Sequence, residues 1–195
     1  METNLEEQLH TILQNRVSIF PYQYEEGVQL DDSIIERILE SAIHAPNHKR
    51  TEPWRFVVFS GEGRKYLVEK QVEIYKKYSE IIGEKKLKKL QEYPLMSSHV
   101  IVIGMKRSTR VPETEEILAM GCVIENMFLT ATALGVGCYL STGGITYIEQ
   151  AKELFGLSPE DKLIGFFYVG KKKEPAPEPK PRDPLKDKVK WIREQ

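Results

Sequence analysis

Residues 45–59 read Ala-Pro-Asn-His-Lys-Arg-Thr-Glu-Pro-Trp-Arg-Phe-Val-Val-Phe. Two kinds of chain meet in this stretch. Six polar residues, Asn47 to Glu52, lie between Pro46 and Pro53, and the prolines stiffen the loop they bracket. Trp54 then opens an apolar run to Phe59, rich in aromatic and β-branched residues, which predicts a strand. Upstream, Ile34, Ile35, Ile38, Leu39 and Ala42 recur at helical spacing, with Asp31 or Asp32 available as the N-cap. Pro46 ends that helix, because the residue before a proline avoids the helical region. The arrangement is therefore helix, stiff polar loop, strand. The amides of such a loop, with Pro46, Asn47, His48 and Arg50, could line a polar heterocycle. Without a ligand the same residues make a capped surface loop.

Outward from this point the elements alternate. Leu5 to Asn15 carries Leu5, Leu9, Ile12 and Leu13 at helical spacing, and Arg64 to Lys77 also reads as helix. Lys85 to Lys89 is a basic run, read as a solvated face. His99 to Met105 is a short apolar run expected as a buried strand. Thr114 to Leu134 is the longest helical candidate and is apolar nearly all round, which suggests burial on several sides and a subunit interface. Gly135 and Gly137 end it. Cys138 to Leu140 reads as a strand, Ile145 to Phe155 as a helix, and Asp161 to Gly170 as a last strand. From Lys171 to Pro184 the chain turns to Lys, Pro and Glu, and this segment cannot build a core of its own. It leads to Val189 and Trp191, an apolar end suited to wrapping a partner. One domain, 1–170, with an extended arm, 171–195, is the expected organisation.

Composition excludes some classes. The chain has 195 residues, 41% hydrophobic and 29% charged, a globular balance long enough for a sizeable core. With 28 basic and 29 acidic side chains the net charge is −1, so neither nucleic acid nor a membrane surface is an expected partner. The acidic start lacks the marks of a secretory signal, and no stretch was expected to reach the roughly 20 apolar residues of a membrane span, which places the protein in the cytoplasm. Cys122 and Cys138 form no CxxC pair and read as reduced core thiols. His10, His44, His48 and His99 show no metal-ligand spacing, and no nucleophile elbow, phosphate-binding Gly-rich motif or zinc-protease motif is present. A bound cofactor could supply chemistry that the side chains do not.

Three further clusters suit a polar, phosphorylated ligand. Arg16-Val17-Ser18 follows the first helix and offers a guanidinium fork and a hydroxyl. Leu140-Ser141-Thr142-Gly143-Gly144 offers small residues and free amides. Lys180-Pro181-Arg182 offers two basic groups held by proline. Each alone is more often ordinary surface, turn or tail.

In order along the chain, from about Leu9 to Arg182, these segments resemble the nitroreductase family. The loop 45–54 is similar to that family's A-P-S/D-x-x-x-x-Q-P-W pattern, and its A-P-x-H-K form is similar to the short single-domain bacterial subgroup. Gly121 to Gly137 is similar to the family's long dimer helix, and Gly165-Phe-Phe-Tyr-Val-Gly170 to its last core strand. The resemblance implies an α+β fold with a central, mainly antiparallel sheet flanked by helices, in an interlocked homodimer with two FMN molecules at the interface. It implies that Arg16, Val17 and Ser18 bind FMN, that His44 and His48 reach the flavin of the other subunit, that Leu140, Ser141 and Thr142 lie beside the isoalloxazine ring, and that Lys180 and Arg182 hold the phosphate. Val17 stands where a second Arg or a Ser is usual, Phe20 where many members carry a cation near the flavin N1/O2 edge, and Glu52 where Gln is usual. A missing cation there would alter how well an anionic reduced flavin is stabilised.

The function implied is a ping-pong oxidoreductase that passes electrons from NADH or NADPH to a small acceptor, a nitroaromatic or quinone, with the chemistry on flavin N5 and no catalytic side chain or metal. Two alternatives remain open: a flavin-binding redox module with little turnover, and a dedicated dehydrogenase or dehalogenase on the same scaffold.

Overall fold

The computed structural model describes residues 4–193. Residues 1–3 of the expected domain and 194–195 of the expected arm lie outside this range. Four strands form one sheet: β1 (Trp54–Ser60), β2 (His99–Met105), β3 (Gly137–Ser141) and β4 (Lys162–Gly170). Their order is β1-β2-β4-β3 and every pairing is antiparallel. Helices cover both faces, so the expected α+β architecture is the one observed.

Strand periodicity explains the two-sided core. Successive side chains of a strand point to opposite faces. Ile101, Ile103 and Met105 of β2, with Phe167 and Val169 of β4, pack beneath α2 (Asp32–Ala42) and α5 (Glu113–Ala133). Val100 and Val102, with Phe166 and Tyr168, face the other way, into a cluster completed by Leu67 and Tyr75 of α3 (Gly63–Tyr78) and Leu90 and Tyr93 of α4 (Glu84–Met96). Each such Leu, Ile or Phe contributes about 1.5–3 kcal/mol by burial. Because both faces are covered, β2 is buried along its whole length and apolar from Val100 to Met105 rather than alternating.

Asp31 caps α2, accepting the Ser33 N–H at 2.9 Å. This helix closes at Ala42, before Pro46 is reached: the next N–H groups, of His44 and Ala45, turn onto the Ser41 and Ala42 carbonyls three residues back, at 3.3 and 3.2 Å. At 21 residues, α5 is long and apolar enough by composition to cross a membrane, against the expectation that no such stretch exists. Its Met120, Val123 and Met127 are instead seated in the core against α2 and the sheet. The residues 145–155 depart further from expectation. Only Ala151–Leu154 is α-helical (α6), while residues 145–150 form turns. Thr146 donates both its N–H and its hydroxyl to the Gly143 carbonyl, at 3.3 and 2.8 Å, a local bonding pattern that competes with a continuous helix.

The basic run 85–89 belongs to α4, which contains Pro94. A proline inside a helix has no N–H for the carbonyl four residues back. That carbonyl is Leu90's, and the fully buried Gln71 of α3 donates its Nε2 to it. A glutamine with no relief from solvent is thereby explained by a proline on the neighbouring helix.

First in the chain, α1 (Leu5–Asn15) has no buried residue; Leu5, Leu9 and Leu13 are exposed on it. On α5, Ile117 and Leu118 are exposed as well.

Candidate functional site

Residues 16–24 leave α1 and run beside the β3 edge. The Ile19 N–H donates to the Cys138 carbonyl at 2.9 Å, and the Tyr24 hydroxyl to the Tyr168 carbonyl at 3.1 Å. Two glycines make room for Tyr24. Gly137 and Gly170 face each other across β3 and β4, and a Cβ on either would stand 2.8 or 2.4 Å from the Tyr24 ring. Burial raises the Tyr24 phenol well above its ordinary pKa, helped by Cys138, Tyr168 and Tyr139, so it stays a neutral donor.

The chain after β4 is stitched to the same segment. Glu25 donates its N–H to the Lys171 carbonyl at 2.8 Å, and Lys173 to that of Gln23 at 2.9 Å. The tail then passes over residues 13–23 and encloses a cavity of about 700 Å³, lined by Arg16, Val17, Ser18, Phe20, Lys180 and Arg182 among others. Residues read separately from the two ends of the chain thus share one cavity wall. Arg16 lies 5.2 Å from the Phe128 ring centroid, a cation–π contact that orients the guanidinium without neutralising it. Among the described residues, no carboxylate forms an ion pair with Arg16, Lys180 or Arg182. One acidic residue, Glu178, also lines the wall. Three uncommitted cations and a serine fit a phosphate group.

Leu140, Ser141, Thr142 and Gly143 line a second cavity of about 370 Å³ with Tyr93, Tyr139 and Tyr168. Here too one glycine is required: Gly144 has φ +67°, and a Cβ on it would meet Leu90 of α4 at 2.7 Å. The two cavities adjoin through an aromatic wall, since Phe20 of the first lies 4.5 Å from the Tyr139 ring of the second, centroid to centroid. Three more residues line the second cavity: Lys85, Lys86 and Lys89. The sequence placed them on a solvated face, and they are exposed; their position beside this cavity is the added finding. Their spacing i, i+1, i+4 on one helix was the signal that they share a side.

The loop 44–54 does not join these groups within one chain. It precedes β1, and Leu140–Ser141 end β3, at the opposite edge of the sheet. Three strand spacings, about 14 Å, separate the two edges. His44, Pro46, His48 and Arg50 are exposed, and Asn47 is half-buried. The loop is held in an unusual shape: Lys49, Arg50 and Glu52 have φ of 51°, 49° and 43°. Residues with a Cβ meet about 1–2 kcal/mol of resistance in this region. Asn47 stabilises it by accepting the Glu52 N–H at 3.0 Å, Lys49 reaches the Arg110 carbonyl at 3.2 Å, and His48 pairs with Glu115. Strain kept in an exposed loop is characteristic of functional positions.

One arrangement resembles a hydrolytic relay. Ser98 Oγ lies 2.9 Å from His99 Nδ1, whose Nε2 lies 2.8 Å from Asp32 Oδ1. Ser98 Oγ also accepts the Leu30 N–H at 2.7 Å. Both residues are buried at 1–2% exposure, and the relay serves to pin the start of α2 to β2. Among the described residues, no group of three or more His, Cys, Asp or Glu gathers around a common point.

Comparison with known proteins gives the family and the fold. A family model described as the nitroreductase family matches residues 13–171. YdjA of Escherichia coli (strain K12), provisionally named an NAD(P)H nitroreductase, is 30% identical over 140 residues, 70% of this chain and 74% of its own. YfhC of Bacillus subtilis (strain 168), named in the same way, is 29% identical over 182 residues, 92% of each chain. Among solved structures, a nitroreductase-like family protein from Bacillus cereus superposes with a TM-score of 0.82 at 27% identity, covering 98% of both chains. The FMN-dependent nitroreductase NfnB from Mycobacterium smegmatis, solved in complex with NADPH, shares the fold at a TM-score of 0.75 and 17% identity, over 97% of this chain and all of that one.

Proposed function

The chain belongs to the nitroreductase family, and on that premise we propose that it is a homodimeric FMN-dependent oxidoreductase passing electrons from NAD(P)H to a small acceptor. The observation that carries the reading is the single cavity that gathers Arg16, Ser18, Lys180 and Arg182 from the two ends of the chain. Bound there, FMN would supply reversible two-electron chemistry between NADH or NADPH and a nitroaromatic or quinone, in ping-pong order. Arg16, Lys180 and Arg182 hold its phosphate, with Ser18 as a neutral donor and Val17 as an apolar neighbour. The backbone of Leu140, Ser141, Thr142 and Gly143 borders the ring system, and Phe20, Tyr93 and Tyr139 exclude water from that side. No side chain is required to move a proton.

His44, Pro46, Asn47, His48 and Arg50 complete the site from the partner subunit. Their exposure, their strained loop and their distance from Leu140 within one chain support this assignment. The uncovered apolar residues of α1 and α5 support a dimer. So do the exposed Leu185, Trp191 and Ile192 of the arm, which would pack on the partner while residues 1–170 form the flavin-binding domain.

The test is flavin retention. Purified wild-type protein should be yellow with near-stoichiometric FMN. Arg182→Ala should lose most of it on gel filtration, and unchanged retention would count against the phosphate assignment. A second reading, a flavin-binding redox module with little turnover, is favoured by Phe20, which lies against Tyr139 and Tyr22 where a cation would stabilise reduced flavin. Steady-state NAD(P)H oxidation with menadione separates the two.

A further inference from the structure

The second cavity carries positive charge that no acidic residue of its lining balances. Lys85, Lys86 and Lys89 line it, and no acidic side chain does. The lysine of the same run that does not line it, Lys88, is ion-paired with Glu92 at 3.7 Å. Among the described residues, the three on the cavity have no carboxylate partner. Lys86 and Lys89 lie instead over the rings of Tyr75 and Tyr93, at 5.7 and 5.8 Å, contacts that place the ammonium groups without cancelling them. Lys85 and Lys86 also occupy the first turn of a 13-residue helix. Cations there oppose the positive end of the helix dipole, so this placement costs stability rather than adding to it. Ser141 and Thr142 line the same wall, and Tyr93 and Tyr139 add aromatic surface to it.

We propose that Lys85, Lys86 and Lys89 form an anion-selecting rim, so that the molecule exchanging electrons at this site is a flat ring compound bearing a phosphate or carboxylate. The proposal rests on the flavin reading for what happens in the site, and on the chain alone for the anion. Two sources share the chemistry: the ribose 2′-phosphate of NADPH on the donor side, and a carboxylate on an aromatic acceptor.

Calorimetric titration of the flavin-loaded protein with NADP⁺ against NAD⁺, and with 4-nitrobenzoate against nitrobenzene, tests the rim and names the source. In one pair the more anionic member should bind about tenfold more tightly, from three exposed charges acting together, and the preference should shrink as salt is raised. The triple variant Lys85→Gln, Lys86→Gln, Lys89→Gln should abolish it, weakening the more anionic member about tenfold more than its partner compound, and the corresponding Lys→Arg variant should keep it. No preference in either pair, or one that survives the Gln variant, overturns the proposal. So does a Gln variant that loses FMN while wild type retains it, since the lysines would then hold the flavin itself. A wild-type protein that takes up no FMN yet shows the lysine-dependent preference sinks the flavin reading and leaves the rim standing.

Discussion

Replacing Gln71 with Met removes the hydrogen bond made to a carbonyl whose usual helical partner is a proline. Gln71 is fully buried on α3, and its Nε2 serves the Leu90 carbonyl, 19 residues along on α4. Pro94 occupies the position whose N–H would ordinarily take that carbonyl. Met preserves length and flexibility, so the change is chiefly polar. Leaving a buried carbonyl unpaired costs about 1–3 kcal/mol. The substitution also removes Gln71 Oε1, which is buried without a partner, so the lower half of that range, about 1–2 kcal/mol, is expected. For a chain of this size that is a fall of about 2–8 °C in Tm. The diagnostic step is the second change. Pro94→Ala returns an N–H to the helix at the position that reaches Leu90. Added to Gln71→Met it should recover about 1 kcal/mol more than it contributes in the wild-type background. Urea titrations of the four proteins, followed by circular dichroism at one protein concentration, measure the coupling. Strictly additive effects would refute the pairing of proline with glutamine, whatever the size of the single losses.

Two other outcomes are expected. Asp161 loses solvation by partial burial, yet the Ser158 and Arg107 N–H donors, at 2.9 and 2.8 Å, with Lys106 nearby hold its carboxyl below the usual range. A depressed folded-state pKa gives stability that is present above the unfolded value and lost as pH falls through the folded one. Asp161→Asn should therefore cost about 1–3 kcal/mol at pH 7, where an amide cannot accept on both sides, and the gap to wild type should narrow below pH 4, followed by thermal melts from pH 3 to 7; a gap independent of pH would contradict it. Burial pushes the Cys138 thiol up to about 12, with Arg16 only partly offsetting the effect. At pH 8 an aromatic disulfide reagent should modify half-buried Cys122 first and Cys138 only on unfolding, and equal native rates would be wrong for this core.

The elements most legible in the sequence are those whose pattern is dictated by the layers around them. A strand covered on both faces is apolar throughout, and β2 and β4 could be read from that alone. Local patterns failed where the decisive partner was distant or the local bonding irregular. The stripe Leu87, Leu90, Tyr93 of α4 is interleaved with lysines and broken by Pro94, so a packed helix looked like a charged surface. The apolar spacing of Ile145, Ile148 and Ala151 imitates a helix, but Thr146 ties the backbone into turns. Arg16 and Arg182 carry no mutual signal in the sequence; only their likeness to a family pattern placed them together, and the cavity they share follows from hydrogen bonds between residues 23–25 and 171–173. The lysine run was visible in the sequence and is exposed, as read; that three of its members border a cavity depends on residues 139–144, distant in the chain. Gln71 carried no signal, since its role exists only once Pro94 is packed beside it.

The stitch between residues 23–25 and 171–173 also has a temporal side. Protein chains begin to fold from the N-terminal side while they are still being synthesised. Arg16 emerges early, but β4 and the turn that brings the tail back are needed before Lys180 and Arg182 can stand opposite it. The basic cavity therefore appears in one late event, after the sheet has closed and residue 182 has been made. A chain interrupted before that point would display Arg16 beside half a wall, and capture of a phosphorylated ligand would report that synthesis had run past the last strand.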